Sequence, residues 1–241
     1  MHIPSGQIFV IGDSHIGLGA GSDAPMVGWL ERLEALAPAA LYLDGDLFHY
    51  LIAHPKFVTP AVEHVFAAFR RLRDSGVAVH YVEGNRDFFL RGSFAEAAVT
   101  DVAMEYAFTA GARRYLIVHG DMINDRDYPY RFWRRASKNP VSRLSVSLIP
   151  RQTARRFVDN VEKRLARSNF KHKYRLPVEQ MKRYAAKRAR QGITDVVFGH
   201  FHEKVILPGE GATVTILPAW FENQEAMVID PETGASSFAV P

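Results

Sequence analysis

Nine side chains with carboxylate, amide or imidazole groups stand in short motifs scattered along the chain. The motifs are Asp13-Ser14-His15, Gly45-Asp46, Gly84-Asn85-Arg86-Asp87, His119-Gly120-Asp121 and Gly199-His200-Phe201-His202. Mixed oxygen and nitrogen donors suit manganese, iron, zinc or cobalt better than magnesium or calcium, which favour oxygen shells. Two ions a few ångströms apart can clamp both the attacking and the leaving oxygen of a displacement at phosphorus. A donor set of this size therefore points to a two-metal hydrolase, with Asp46 the natural bridging carboxylate. Asp13 and His15 are two residues apart, so an extended chain would aim both to one side; the same expectation holds for His200 and His202. Arg86 beside Asn85 has the planar fork that grips phosphate oxygens and offsets developing negative charge. Singly, each motif has a plainer reading as a capping acid, a Gly-Asn turn or a structural histidine. The coincidence of all of them is what favours chemistry.

Four of these motifs follow apolar runs that predict strands: 9–11, 41–43, 115–118 and 196–198. The Gly84 motif follows the more mixed run 77–82. Strand exits are where open α/β sheets gather ligands from distant parts of a chain. Helical spacing predicts a helix over Ala24–Ala37, a second over Val58–Ser75 closed by Gly76, and a shorter one over Ser93–Val99. This alternation implies a parallel sheet with right-handed crossovers. From Asp127 to Gln191 no β run occurs, and a helical pattern broken at Pro140, Pro150 and Pro177 predicts an insertion. Strand character resumes at Thr194–Gly199. Lys204–Leu207, Thr213–Leu217, Ala226–Ile229 and Ser236–Val240 then read as an antiparallel layer closing a second sheet. Asp44 is expected to face away from the motifs as a turn acid. His2, His49, His54, His64, His80 and His172 lack motif context and are assigned to surface or core.

The chain of 241 residues has no cysteine, which excludes disulfides and thiolate sites and fits an intracellular protein. Its first strand is reached by about Gln7, so no signal peptide is expected. No apolar run approaches the roughly 18 residues of a spanning helix. A net charge of +4 conceals segregation: residues 131–190 hold 19 of the 30 Lys and Arg but only three acids. Segregation of this kind implies an anionic partner. Trp133, Leu144, Val146, Leu148, Ile149 and Phe157 interleave with these cations, which favours an anionic lipid surface over a solvated face or a nucleic-acid groove.

In kind and order the motifs resemble the calcineurin-like metallophosphoesterase superfamily, whose pattern is Asp-x-His, Gly-Asp, Gly-Asn-His-(Asp/Glu), His and Gly-His-x-His. Arg86 stands where most members have a histidine. Gly84–Phe88, Leu41–Phe48, His119–Asp121 and Ala219–Asn223 are similar to the UDP-2,3-diacylglucosamine pyrophosphatases of lipid A synthesis. The resemblance implies an α/β fold: a β-sandwich flanked by helices (αββα), with residues 1–126 and 192–241 as core and 127–191 as a helical cap. It implies one ion, manganese in this family, on Asp13, His15, Asp46 and His202, and a second on Asp46, Asn85, His119 and His200. It further implies that Asn85, Arg86 and His200 act on the substrate phosphates, that Asp127 contacts the nucleoside side, and that residues 128–176 cradle acyl chains. The reaction so implied is attack of a metal-bridging hydroxide on UDP-2,3-diacylglucosamine, giving UMP and 2,3-diacylglucosamine 1-phosphate. The alternative is a related phosphodiesterase or phosphatase acting on a nucleotide, a nucleic acid or another phosphorylated substrate. The expected location is cytoplasmic and peripheral on the inner membrane, with no obligate protein partner. The stretches His49–Lys56 and Arg167–Lys173 depart from the family pattern.

Overall fold

Short runs rich in branched and aromatic residues become central strands, and amphipathic runs become the helices packed over them. The computed structural model describes residues 6–17, 19, 21–165 and 176–241. In chain order the elements are β1 (Ile8–Ile11), α1 (Ala24–Ala35), β2 (Ala40–Asp44), β3 (Leu51–Ile52), α2 (Pro60–Asp74) and β4 (Ala78–Val82). Next come β5 (Asp87–Phe88), β6 (Asp101–Ala103), β7 (Glu105–Ala110) and β8 (Arg113–Val118). Four helices follow, α3 (Tyr128–Ser137), α4 (Pro140–Leu148), α5 (Arg151–Leu165) and α6 (Val178–Ala189). The chain closes with β9 (Asp195–Phe198), β10 (Val205–Leu207), β11 (Thr213–Ile216), α7 (Trp220–Asn223), β12 (Ala226–Ile229) and β13 (Ser236–Ala239).

One sheet has six strands in the order β13-β12-β1-β2-β4-β6, and the other has five in the order β10-β11-β9-β8-β7. β1, β2, β4 and β6 run parallel, as do β8, β9 and β11. Alternate side chains divide each strand between two layers. From β1, Phe9 and Ile11 pack with Trp29, Leu33, Phe66 and Phe69 of α1 and α2. Val10 instead meets Tyr115, Ile117 and Val197 of the second sheet. On the far side, Met181 and Ala185 of α6 cover Leu116, Val196 and Phe198. The layers are therefore α, β, β and α, the sandwich that the family resemblance implies.

Several boundaries differ from the sequence reading. α2 starts at Pro60 because the Thr59 side chain accepts from Val62 N (3.4 Å) and Pro60 supplies the first helical turn. Over 93–99 only a 3₁₀ turn, Glu96–Ala98, forms. The last four β segments do not build one antiparallel layer. β10 and β11 join the second sheet, with β11 parallel to β9, while β12 and β13 complete the first. The edge strands β6 and β7 carry Asp101, Glu105 and Thr109, which mask their β pattern.

The prolines break the helical stretch where expected: Pro140 opens α4, Pro150 precedes α5 and Pro177 caps α6. α3 to α5 are tied to the sandwich. Arg143 donates to Arg91 O (2.7 Å) and Gly92 O (2.9 Å), and Lys56 Nζ to Ile149 O (2.9 Å). Phe157 meets the rings of Tyr50 and Phe57. Val146 and Ile149 also turn inward, towards Ile52, Phe57 and Phe88. Residues 166–175, with His172 and all of Arg167–Lys173, lie outside the described residues, as does His2.

Candidate metal centre

Asp13, Asp46, Asn85, His119 and His200 each follow the C-terminal end of a strand by one to three residues, from β1, β2, β4, β8 and β9 in turn. The backbone turns sharply there. Asp13, His15, Asp46, His200 and His202 all take positive φ, between 41° and 65°. Residues with a side chain seldom adopt this left-handed region, and it concentrates at functional sites. Neither Asp13-Ser14-His15 nor His200-Phe201-His202 is extended, which corrects the sequence expectation for both. In the first, Asp13 N and His15 N bond Gly45 O (3.2 Å) and Asp46 O (3.1 Å), pulling one strand exit onto the next; in the second, His200 N donates to Asp13 Oδ2 (2.6 Å).

Two donor groups result. Asp13, His15 and His202 offer atoms within 4.8 Å of one another, and Asp46, His119 and His200 do the same. In the first, His15 Nε2 lies 3.1 Å from His202 Nε2, and His202 Nε2 lies 3.2 Å from Asp13 Oδ1. In the second, Asn85 Oδ1 faces His119 Nε2 at 3.1 Å and His200 Nδ1 at 3.0 Å, and Asp46 Oδ1 lies 3.6 Å from His119 Nε2. The two adjacent histidines of Gly-His-x-His are thus shared out, one to each group. All seven donors predicted from the motifs come together, and Arg86 lies beside them, its Nε 3.3 Å from Asp46 Oδ2.

The electrostatics favour a cation. Burial raises the Asp13 carboxyl, but the His202 hydrogen bond and the imidazoles of His119, His15 and His202 outweigh it and hold the group below its ordinary value. Asp46 is likewise held down against burial, by His119, His15 and the Arg86 amide. Burial lowers His15 to about 4 despite Asp13 and Asp46, and lowers His200 with help from His119. His119 goes the other way: Asp46, Asp13 and Asp121 overcome its burial and raise it. His119 Nδ1 donates to Asp44 O (2.8 Å), so in the neutral ring the Nε2 lone pair faces Asn85 Oδ1, another acceptor. Acceptors converging in a buried space need a proton or a metal ion between them. The donor set fits divalent metals.

Several residues that shape the site were not assigned a role from sequence. Asp87 Oδ2 accepts from Asp46 N (3.0 Å) and Gly84 N (2.9 Å), and Tyr81 OH donates to Asp87 Oδ1 (3.1 Å). This buried acid ties two motif loops together, and its place inside Gly-Asn-Arg-Asp was the available signal. Asp44 is not a turn acid facing away. It is fully buried, and burial, opposed in part by His119, pushes it up to about 8. His49 stacks on His15 (5.8 Å, 11° between planes), and Phe221 lies against His15 and His202. Asp127 caps α3, its Oδ1 accepting from Tyr130 N (3.0 Å). Tyr130 and Arg134 bond Asp121, two residues past His119, so α3 is anchored to a motif loop.

Comparison with known structures places the sandwich. Over 99% of each chain it is similar to a dimetal phosphatase from Danio rerio, with a TM-score of 0.52 and 13% identity. Over 98% of this chain and 99% of the other it is similar to an archaeal phosphodiesterase, with a TM-score of 0.50 and 12% identity. At such identities the likeness speaks for the fold. No model of a known protein family matches the chain. Individual curated proteins do. The chain is 30% identical over 203 residues to the UDP-2,3-diacylglucosamine hydrolase of Pseudomonas putida (strain W619), across 80% of this chain and 82% of that protein. It is 27% identical over 230 residues to the enzyme of the same name from Edwardsiella ictaluri (strain 93-146), across 92% and 88%.

Layered sandwich, strand-exit donors and relatives agree on a hydrolase of the metallophosphoesterase class. Within that class the chain belongs to the UDP-2,3-diacylglucosamine hydrolase family.

Proposed function

We propose that this chain hydrolyses the pyrophosphate bond of UDP-2,3-diacylglucosamine, releasing UMP and 2,3-diacylglucosamine 1-phosphate. The observation that carries the reading is a pair of buried donor groups with a guanidinium lying against one of them. In this reading Asp13, His15, Asp46 and His202 hold one divalent ion and Asp46, Asn85, His119 and His200 the other, with manganese suited to such mixed donors. Bound ions supply charge stabilisation at phosphorus and bring the pKa of water towards neutrality. Asp87 and the Asp44 carbonyl keep Asp46 and His119 in place. Arg86, steadied by its Nη1 bond to His49 O (3.2 Å), takes a phosphate oxygen. Asn85 and His200 align the same phosphate, and Asp127 at the start of α3 meets the nucleoside side.

The manganese-loaded protein is expected to release UMP from this substrate at least a hundredfold faster than it cleaves bis(p-nitrophenyl) phosphate, with EDTA abolishing and manganese restoring the rate. The reverse preference would overturn the substrate and leave a phosphodiesterase.

In the same reading residues 127–191 cap a core of 1–126 and 192–241, and the cap rests on the inner membrane. No helix among the described residues is long and apolar enough to cross a membrane. α4 does expose Val141, Leu144 and Leu148 at helical spacing, with Tyr128 and Phe132 exposed on α3. Leu144→Ser with Leu148→Ser is expected to cut co-sedimentation with anionic vesicles at least fivefold at unchanged turnover on a soluble phosphodiester. Unchanged sedimentation rules out this docking face.

A further inference from the structure

A cavity of about 350 Å³ opens beside α3, and none of the seven metal-donor residues lines it. Its wall carries Arg91, Arg131, Arg134, Arg135 and Lys138, with Glu83 the one acid among the described residues. Arg131, Arg134, Arg135 and Lys138 are spaced i, i+3, i+4 and i+7, so one face of α3 and the residue that ends it present four like charges, an arrangement that works against the helix. Two of the four are answered. Arg134 is buried against Asp121, and Lys138 pairs with Glu83 (2.9 Å) while also donating to Gly84 O (2.6 Å). Among the described residues no carboxylate lies within ion-pairing reach of the side chains of Arg91, Arg131 or Arg135.

Guanidinium groups left over around a concave space suit an oxyanion with several acceptor oxygens, because each fork can make two parallel hydrogen bonds. Glu83 does not cancel this, since Lys138 already neutralises it. The volume lies at the low end of small-molecule sites. It suits a phosphate with a small body and is too small for a nucleotide-linked lipid. Met104 and Met122 supply apolar wall, which a bare ion does not need and a small organic phosphate can use.

We propose that this cavity is a second anion site, separate from the metal centre, that takes a phosphate group carried by a small soluble phosphomonoester or by a phospholipid headgroup.

Titration of the manganese-loaded protein with glycerol phosphate by calorimetry tests the site. Wild type is expected to show two binding events, one at the metal centre and one in the cavity. Arg91→Ser with Arg135→Ser should weaken one event at least tenfold while leaving the melting temperature and kcat within twofold of wild type. Asp46→Asn should disturb the other event and leave the cavity event in place. Flotation with phosphatidylglycerol vesicles, against phosphatidylcholine as control, separates the sources. If the soluble phosphomonoester gives no second event but the double arginine variant loses phosphatidylglycerol binding, the ligand is a headgroup. A single calorimetric event that disappears in Asp46→Asn, together with vesicle binding unchanged in the arginine variant, overturns the site. So does retention of both events by that variant.

Discussion

Replacing Asp46 with asparagine is expected to lower turnover on UDP-2,3-diacylglucosamine about a thousandfold and to reduce bound manganese from two ions per chain to one. Asp46 sits at φ 52° with Oδ1 accepting from Arg86 N (2.8 Å) and Oδ2 facing Arg86 Nε (3.3 Å). It is also the main charge raising His119 and one of those opposing the burial of His15. Asparagine keeps the shape but offers one acceptor oxygen and no charge, so it cannot serve two ions. Metal-ion stabilisation of a phosphoryl transition state is worth several kcal/mol, and each 1.4 kcal/mol is tenfold, hence the estimate of about a thousandfold. Steady-state kinetics with elemental analysis of the purified variant measure both effects. A variant retaining two ions and more than a tenth of the activity would remove Asp46 from the bridging position.

Gly84→Ala should be the most disruptive single methyl group in the centre. A Cβ at position 84 would stand 2.3 Å from Asp46 Oδ1 and 2.6 Å from Asp46 N, with Gly45 packed in turn against Gly84. These neighbours are backbone held by Asp87 and a carboxylate held by Arg86 N, so no flexible side chain can yield. The Gly45-Asp46 and Gly84-Asn85 loops must move apart, at a cost of about 3 kcal/mol by analogy with overpacked interiors. For a chain of this length that lowers the melting temperature by roughly 6–12 °C. A shift of about 1 Å between Asp46 and Asn85 would also cost about a hundredfold in rate. Thermal denaturation of the metal-free protein and kinetics of the loaded one test the two effects separately. A variant as stable and as active as the parent would mean that the loops are looser than their packing indicates.

The donors were legible because each motif is local: an apolar run, a turn, then a hard ligand. The parallel halves of the sandwich were legible for the same reason, since β1, β2 and β9 are buried on both faces and read as unbroken apolar runs. What local pattern cannot carry is how exits from different strands meet. Nothing in Gly199-His200-Phe201-His202 says that His200 joins Asp46 while His202 joins Asp13. Buried acids were hidden too. Asp44 and Asp87 look like turn residues until the second sheet closes over one and Tyr81 reaches the other. The last strands were misplaced because short β segments separated by Pro208, Pro218 and Pro231 carry no mark of which sheet they join. The arginines around the cavity beside α3 showed in the sequence only as excess charge, and folding α3 against Glu83 and Arg91 gave that charge a shape.

Each donor group draws on both sheets. Asp13 and His15 follow β1 of the first while His202 follows β9 of the second; Asp46 follows β2, while His119 and His200 follow β8 and β9. An ion held by either group is therefore a rivet through the seam of the sandwich as well as a reagent. Ligand that binds only the folded chain stabilises it by mass action, by about 2.7 kcal/mol at a hundred times its dissociation constant. The free metal level would then set how much of this protein survives unfolding and proteolysis, in addition to how fast each copy works. A cell starved of the metal would hold fewer molecules of the enzyme, and no change in its synthesis would be needed to bring that about.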